Sequence, residues 1–139
     1  MTPATITVQD PTRMKPAAEI REGLAQMYGT ENYYKYLGGL RLTDGIKFLA
    51  ESAACYWLLD IIFSYQPRLL RNERFQEFQL WELVKKPTRT YPNGWMVTCR
   101  EDSDVKPAVS QRIPWSDFPL DEGIKIYVEN GVILLPSEH

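Results

Sequence analysis

Asp60 is the residue whose type and setting most invite chemistry. It stands in Trp57-Leu58-Leu59-Asp60-Ile61-Ile62, a carboxylate in apolar company that needs either a partner or a task. One reading is a buried polar lock, hydrogen-bonded to a Tyr, Trp or Arg and fixing a helix against a sheet. The other is a catalytic foothold shared with a tyrosine, inside a pocket that raises the carboxyl pKa. Glu51 lies nine residues earlier. On one helix that spacing is about 13 Å along the axis, too far for a carboxylate pair to share a reacting bond. Lys47, one turn before Glu51, is its better partner in a surface ion pair.

The single histidine, His139, is the last residue of the sequence. That removes His-based triads, Cys-His dyads and His-ligated metals, and leaves carboxylates, Tyr, Lys, Arg and Cys to carry any reaction. The Glu101-Asp102-Ser103-Asp104 run lacks the Gly and downstream Glu of an EF-hand loop and reads as a solvated hairpin tip. No phosphate-binding glycine fingerprint occurs. The sequence therefore assigns no catalytic, cofactor-binding or metal-ligating residue, implies no cofactor, and leans away from an enzyme.

Tyr33, Tyr34 and Tyr36 are the strongest interaction candidates, with Trp115 in the aromatic corner Trp115-Ser116-Asp117-Phe118 as a second. Tyr and Trp offer apolar area and a polar tip, the combination favoured at binding hot spots. On a helix Tyr33 and Tyr36 share a face and Tyr34 lies off it. The Gly38-Gly39 pair beside them lets another chain approach closely.

The elements that must position these residues follow from periodicity. Residues 1–15 read as an extended arm, with a short strand at Thr5 to Val8, ahead of one α+β domain over residues 16–139. Pro16 opens a helix through Ala17, Ile20 and Leu24. Thr30 caps a short helix over Glu31 to Leu37. Thr43 and Asp44 then start one long helix that runs to Gln66, with Pro67 as its stop. Beyond a basic connector the period changes to two. Strands are expected at Phe78 to Val84, Trp95 to Arg100, Val105 to Ile113, Ile124 to Glu129 and Val132 to Leu135, the last two joined by the hairpin signal Asn130-Gly131. Helices first and strands second predict an α+β fold, its long helix packed on a C-terminal antiparallel sheet of four to five strands.

Composition narrows the function class. A chain of 139 residues can bury roughly 68% of its unfolded surface. The net charge of −2 and the broken basic clusters at Lys85-Lys86 and Arg68 to Arg74 weigh against nucleic acid. The apolar run Ala53 to Phe63 is too short for a membrane span. Cys55 and Cys99 have no metal-site spacing, and reduced thiols are the simpler reading over a Cys55–Cys99 bridge, which points to the cytoplasm.

Three runs carry a resemblance: Gly29-Thr30-Glu31-Asn32-Tyr33-Tyr34, Leu42-Thr43-Asp44-Gly45-Ile46-Lys47, and Tyr56-Trp57-Leu58-Leu59-Asp60. Asp117-Phe118-Pro119-Leu120 and the closing Leu135-Pro136-Ser137-Glu138 continue it. Together they resemble an uncharacterised bacterial family whose members are also met in phages and plasmids, a domain of unknown function. The likeness spans about Gly29 to Glu138 and brings no catalytic residues with it. It implies a mobile-element setting, in which small proteins often act by binding a host protein. The expectation is thus a non-enzymatic interaction module with a protein partner, either a host (for example defence) protein or a second copy. A small-molecule or nucleotide-binding domain, acting as an enzyme through Asp60 and a tyrosine, is the alternative.

Overall fold

A computed structural model describes residues 14–139. The expected strand at Thr5 to Val8, and most of the expected arm, fall outside the described residues. Lys15, at the edge of them, donates its backbone N–H to the Ser52 carbonyl at 2.9 Å.

The chain runs α1 (Ala17–Ala25), β1 (Tyr33–Lys35), β2 (Arg41–Thr43), α2 (Asp44–Ser52), α3 (Tyr56–Ser64), α4 (Gln66–Leu69), α5 (Glu73–Glu77), β3 (Gln79–Lys85), β4 (Trp95–Arg100), β5 (Val109–Ile113), β6 (Ile124–Glu129) and β7 (Val132–Leu134). Short 3-10 turns at Leu37–Gly39 and Pro136–Glu138 complete it. The strands form one seven-stranded sheet in the order β1-β2-β7-β6-β3-β4-β5. The fold is α+β, but its sheet is larger than the four to five strands expected. The two extra strands, β1 and β2, come from the N-terminal half. They join the C-terminal strands through a parallel β2–β7 pair, Leu42 opposite Ile133.

The single long helix over Asp44 to Gln66 is not present; it is α2, α3 and α4. The break has a specific cause. Ala54 adopts φ 52°, and the Cys55 N–H reaches back to the Ala50 carbonyl at 2.9 Å. This is a Schellman closure, in which a left-handed residue ends the helix. Glycine normally fills that position, and an alanine there leaves no signal in the sequence. Pro67 does not stop a helix either. It sits in the first turn of α4, where the missing N–H has no partner to lose.

The helix expected over Glu31 to Leu37 is also absent. Tyr33 to Lys35 pair antiparallel with Arg41 to Thr43. Tyrosines fit a pleated, half-buried surface better than a short isolated helix. The C-terminal strands lie close to their expected places, with β5 beginning at Val109 rather than Val105. In the β6–β7 hairpin Asn130 and Gly131 both take positive φ, 50° and 81°, as a two-residue type I′ turn requires.

One face of the sheet supplies Trp81, Leu83, Trp95, Val97, Ile126, Val128 and Ile133 to the core, against Ile46, Leu49, Leu58, Leu59 and Ile62 of α2 and α3. Cys55 and Cys99 are both free and buried, and burial pushes both thiols up to about 12. No helix among the described residues is long and apolar enough to cross a membrane.

Candidate functional site

A strand alternates its side chains, so β1 sends Tyr34 one way and Tyr33 and Lys35 the other. Continuing the alternation, Tyr36 follows Tyr34 inward, and both pack against the core while Tyr33 stays 56% exposed. The strand thus unites Tyr34 with Tyr36, where a helix would have united Tyr33 with Tyr36.

Tyr34 donates its hydroxyl to Asp44 Oδ1 at 2.8 Å, and the Lys47 ammonium lies 4.5 Å above its ring. The other Asp44 oxygen accepts the backbone N–H groups of Glu31 at 2.9 Å and Asn32 at 3.2 Å. Thr30 is not a helix cap. Its hydroxyl accepts the Asp44 N–H at 2.8 Å and donates to the Asn32 carbonyl at 2.6 Å. The Glu31 N–H, then the Tyr34 hydroxyl, hold the Asp44 carboxyl down at about 2. The same bond to Asp44 raises the Tyr34 phenol. Asp44 therefore stitches the start of β1 to the start of α2.

Tyr36 donates its hydroxyl to Asp60 Oδ1 on α3. Its ring stacks on Tyr56 of the same helix, centroids 6.3 Å apart and planes 18° from parallel. The Tyr56 hydroxyl donates to Glu51 Oε2 at 3.4 Å, and Glu51 pairs loosely with Lys47 at 4.0 Å. The expected partnership of Asp60 with a tyrosine is present, but the expected burial is not: Asp60 is exposed. Leu58, Leu59 and Ile62 take the core side of α3, and Tyr56 and Asp60, one turn apart, take the solvent side. Burial, then the bond to Asp60, push the Tyr36 phenol well above its ordinary range. Burial and the nearby Glu51 charge raise Tyr56 as well. Phenols held this firmly protonated are poor bases and poor nucleophiles. The arrangement is a rigid surface: Leu37 and Tyr56 are 49% and 37% exposed beside a fixed Tyr36–Asp60 pair, and Tyr33 lies on the other face of β1.

Trp115 is 61% exposed but belongs elsewhere. It follows β5, at the opposite edge of the sheet from β1, six strand spacings or about 29 Å away. Its corner is built by Ser116, whose hydroxyl accepts the Phe118 N–H at 3.1 Å and whose carbonyl accepts Trp95 Nε1 at 3.3 Å. Of the scattered arginines, Arg68 donates to the Ala108 carbonyl and Arg74 pairs with Glu101 at 2.7 Å. Among the described residues no cluster of His, Cys, Asp or Glu is arranged to hold a metal.

Two polar groupings escaped the sequence reading. Glu138 accepts from Thr43 Oγ1 at 2.6 Å, the Gly45 N–H at 3.0 Å and the Leu135 N–H at 3.0 Å. Gln66 and Gln79, both buried, exchange two amide hydrogen bonds of 2.9 Å, and Gln79 Oε1 also accepts Trp81 Nε1 at 2.8 Å. Gln79 shares its face of β3 with Trp81 and Leu83, so alternation was the available signal for its burial, while its partners Gln66 and Trp81 Nε1 had none. For Glu138 the available signal was Gly45, a glycine in the first turn of a helix.

The chain is thus an α+β domain with a seven-stranded mixed sheet and an ordered tyrosine face at one sheet edge. It belongs to the family of unknown function DUF6876, whose model matches residues 18–139. No curated protein and no solved structure matches it.

Proposed function

We propose that this protein is a non-enzymatic interaction module that docks a protein partner on the face formed by β1, the following 3-10 turn and α3. The observation that carries the reading is the exposure of Leu37 and Tyr56 beside the hydrogen-bonded Tyr36–Asp60 pair. Aromatic side chains already fixed by hydrogen bonds lose little conformational freedom on binding, and exposed rings beside a carboxylate favour a partner with an apolar anchor next to a basic group. The mobile-element setting implied by the resemblance favours a host protein, such as a defence component, over a second copy. The two reduced thiols support a cytoplasmic setting. An enzyme built on Asp60 loses its main support, because an exposed carboxylate held by a protonated phenol is not enclosed with a substrate.

Affinity capture from bacterial lysate, beside light scattering of the purified protein, tests the proposal. The expected result is a retained partner that a Leu37→Asp variant no longer retains. No retained protein, together with a monomer in scattering, would overturn it.

A further inference from the structure

A concavity of about 310 Å³ opens where the 3-10 turn after β1, α4, α5 and the β6–β7 turn converge. Phe63, Pro67, Leu70 and Val128 give it apolar walls, Gln66 and Gln79 lie in its lining, and Gln76 completes it. Its volume is at the small end of the roughly 300–1,000 Å³ range of ligand sites. Apolar walls with a few converging polar groups are the usual composition of such sites.

The chemistry of the lining selects its ligand. None of the lining residues carries a charge, so nothing there compensates the desolvation of a phosphate, carboxylate or ammonium. The hydrogen-bond inventory is lopsided. Both Gln79 amide hydrogens are spent, on Gln66 Oε1 and the Phe75 carbonyl, and its oxygen already accepts from Gln66 and Trp81. Both Gln66 amide hydrogens are spent, on the Ile62 carbonyl and on Gln79. One acceptor position remains on Gln66 Oε1. Gln76 spends one amide hydrogen on the Leu70 carbonyl, and among the described residues its oxygen accepts nothing. The unused capacity is therefore mostly acceptor.

We infer that this concavity is a binding site for a small, neutral, flat molecule that brings one N–H or O–H donor, of the indole or phenol class. Nucleotides and organic acids are disfavoured by the same lining. The site adjoins the tyrosine face through the 3-10 turn, but its lining includes none of Leu37, Tyr36, Tyr56 and Asp60, so it stands whether or not that face binds a protein.

Titration of the full chain with indole, followed by amide and side-chain NMR, tests it. The expected shifts are confined to the side-chain amides of Gln66, Gln76 and Gln79 and to the groups of Leu70 and Val128. N-methylindole, which lacks the donor, should bind at least threefold more weakly, and indole-3-carboxylate should not bind. Leu70 is 42% exposed, so Leu70→Glu places a charge on the wall without touching the core and should weaken indole at least tenfold. Absence of shifts at the indole solubility limit, shifts scattered outside this lining, or equal binding to Leu70→Glu would each overturn the assignment.

Discussion

The backbone N–H of Gly45 donates to the Glu138 carboxylate at 3.0 Å, across 93 residues of chain. A Cβ on Gly45 would meet Glu138 Oε1 and Leu135 Cδ1 at 2.6 Å each, so glycine is what lets the carboxylate reach the start of α2. There the carboxylate also takes the Thr43 hydroxyl. It meets the positive end of the helix and satisfies an N–H that has no partner within the helix.

Glu138→Ala is expected to destabilise the protein by about 2 kcal/mol, the scale of a charged cap that makes several hydrogen bonds. Gly45→Ala should cost about 1–3 kcal/mol by overpacking. The two should be sub-additive, because removing Glu138 removes one of the two clashes. Urea unfolding of the single and double variants measures this; strict additivity would separate the two residues.

Ala54→Gly should stabilise the protein. Ala54 is exposed and held at φ 52°, a conformation that costs a non-glycine residue roughly 1–2 kcal/mol and glycine almost nothing. Against that, glycine gives the unfolded chain more freedom, about 0.4–1 kcal/mol. The net expectation is a gain of about 0.5–1 kcal/mol, visible as a rise in Tm of a few degrees by calorimetry.

Acid should weaken the fold in a defined window. Asp44 is held at about 2 by the Glu31 N–H and Tyr34, and Glu122 at about 2 by its hydrogen-bonded ion pair with Arg21. Both folded values lie below the unfolded ones, so the stabilisation is complete above the unfolded values and is lost as pH falls through the folded ones. Stability should decline from about pH 5 toward pH 2. An Asp44→Asn variant should be less stable at neutral pH and should decline less over that window. Equal slopes for the two proteins would contradict the role given to Asp44.

Gln79→Leu should be costly despite its similar size. Gln79 is wholly buried, and its loss strands the Trp81 indole N–H and the Gln66 amide in the core. About 3 kcal/mol is expected, against under 1.5 for a volume-conserving swap at an apolar core site. Thermal unfolding compared with Leu83→Met gives the contrast.

What the sequence made legible was the C-terminal sheet, where alternation in Trp95 to Arg100 and the Asn130-Gly131 turn are local signals that tertiary structure did not override. What it hid was decided by distant contacts or by a missing marker residue. Ala54 ends α2 without the glycine that would have announced it. Tyr33 to Lys35 become a strand because Arg41 to Thr43 are there to pair with and β7 extends the sheet beyond them, a long-range fact. The site was half legible. Asp60 does bond a tyrosine, but the apolar run around it belongs to the opposite side of α3, and a run without clear period does not say which residue faces out. Trp115 and the tyrosines looked equivalent as exposed aromatics until the strand order placed them at opposite edges.

The claim that the tyrosine face is a docking surface is tested most directly by the affinity of the captured partner for the protein and for its Leu37→Asp variant, measured by calorimetric titration. Leu37 is 49% exposed, so the variant should keep its Tm. The account predicts binding at least tenfold weaker, a loss of about 1.4 kcal/mol or more. Unchanged affinity in a variant of unchanged Tm would contradict it.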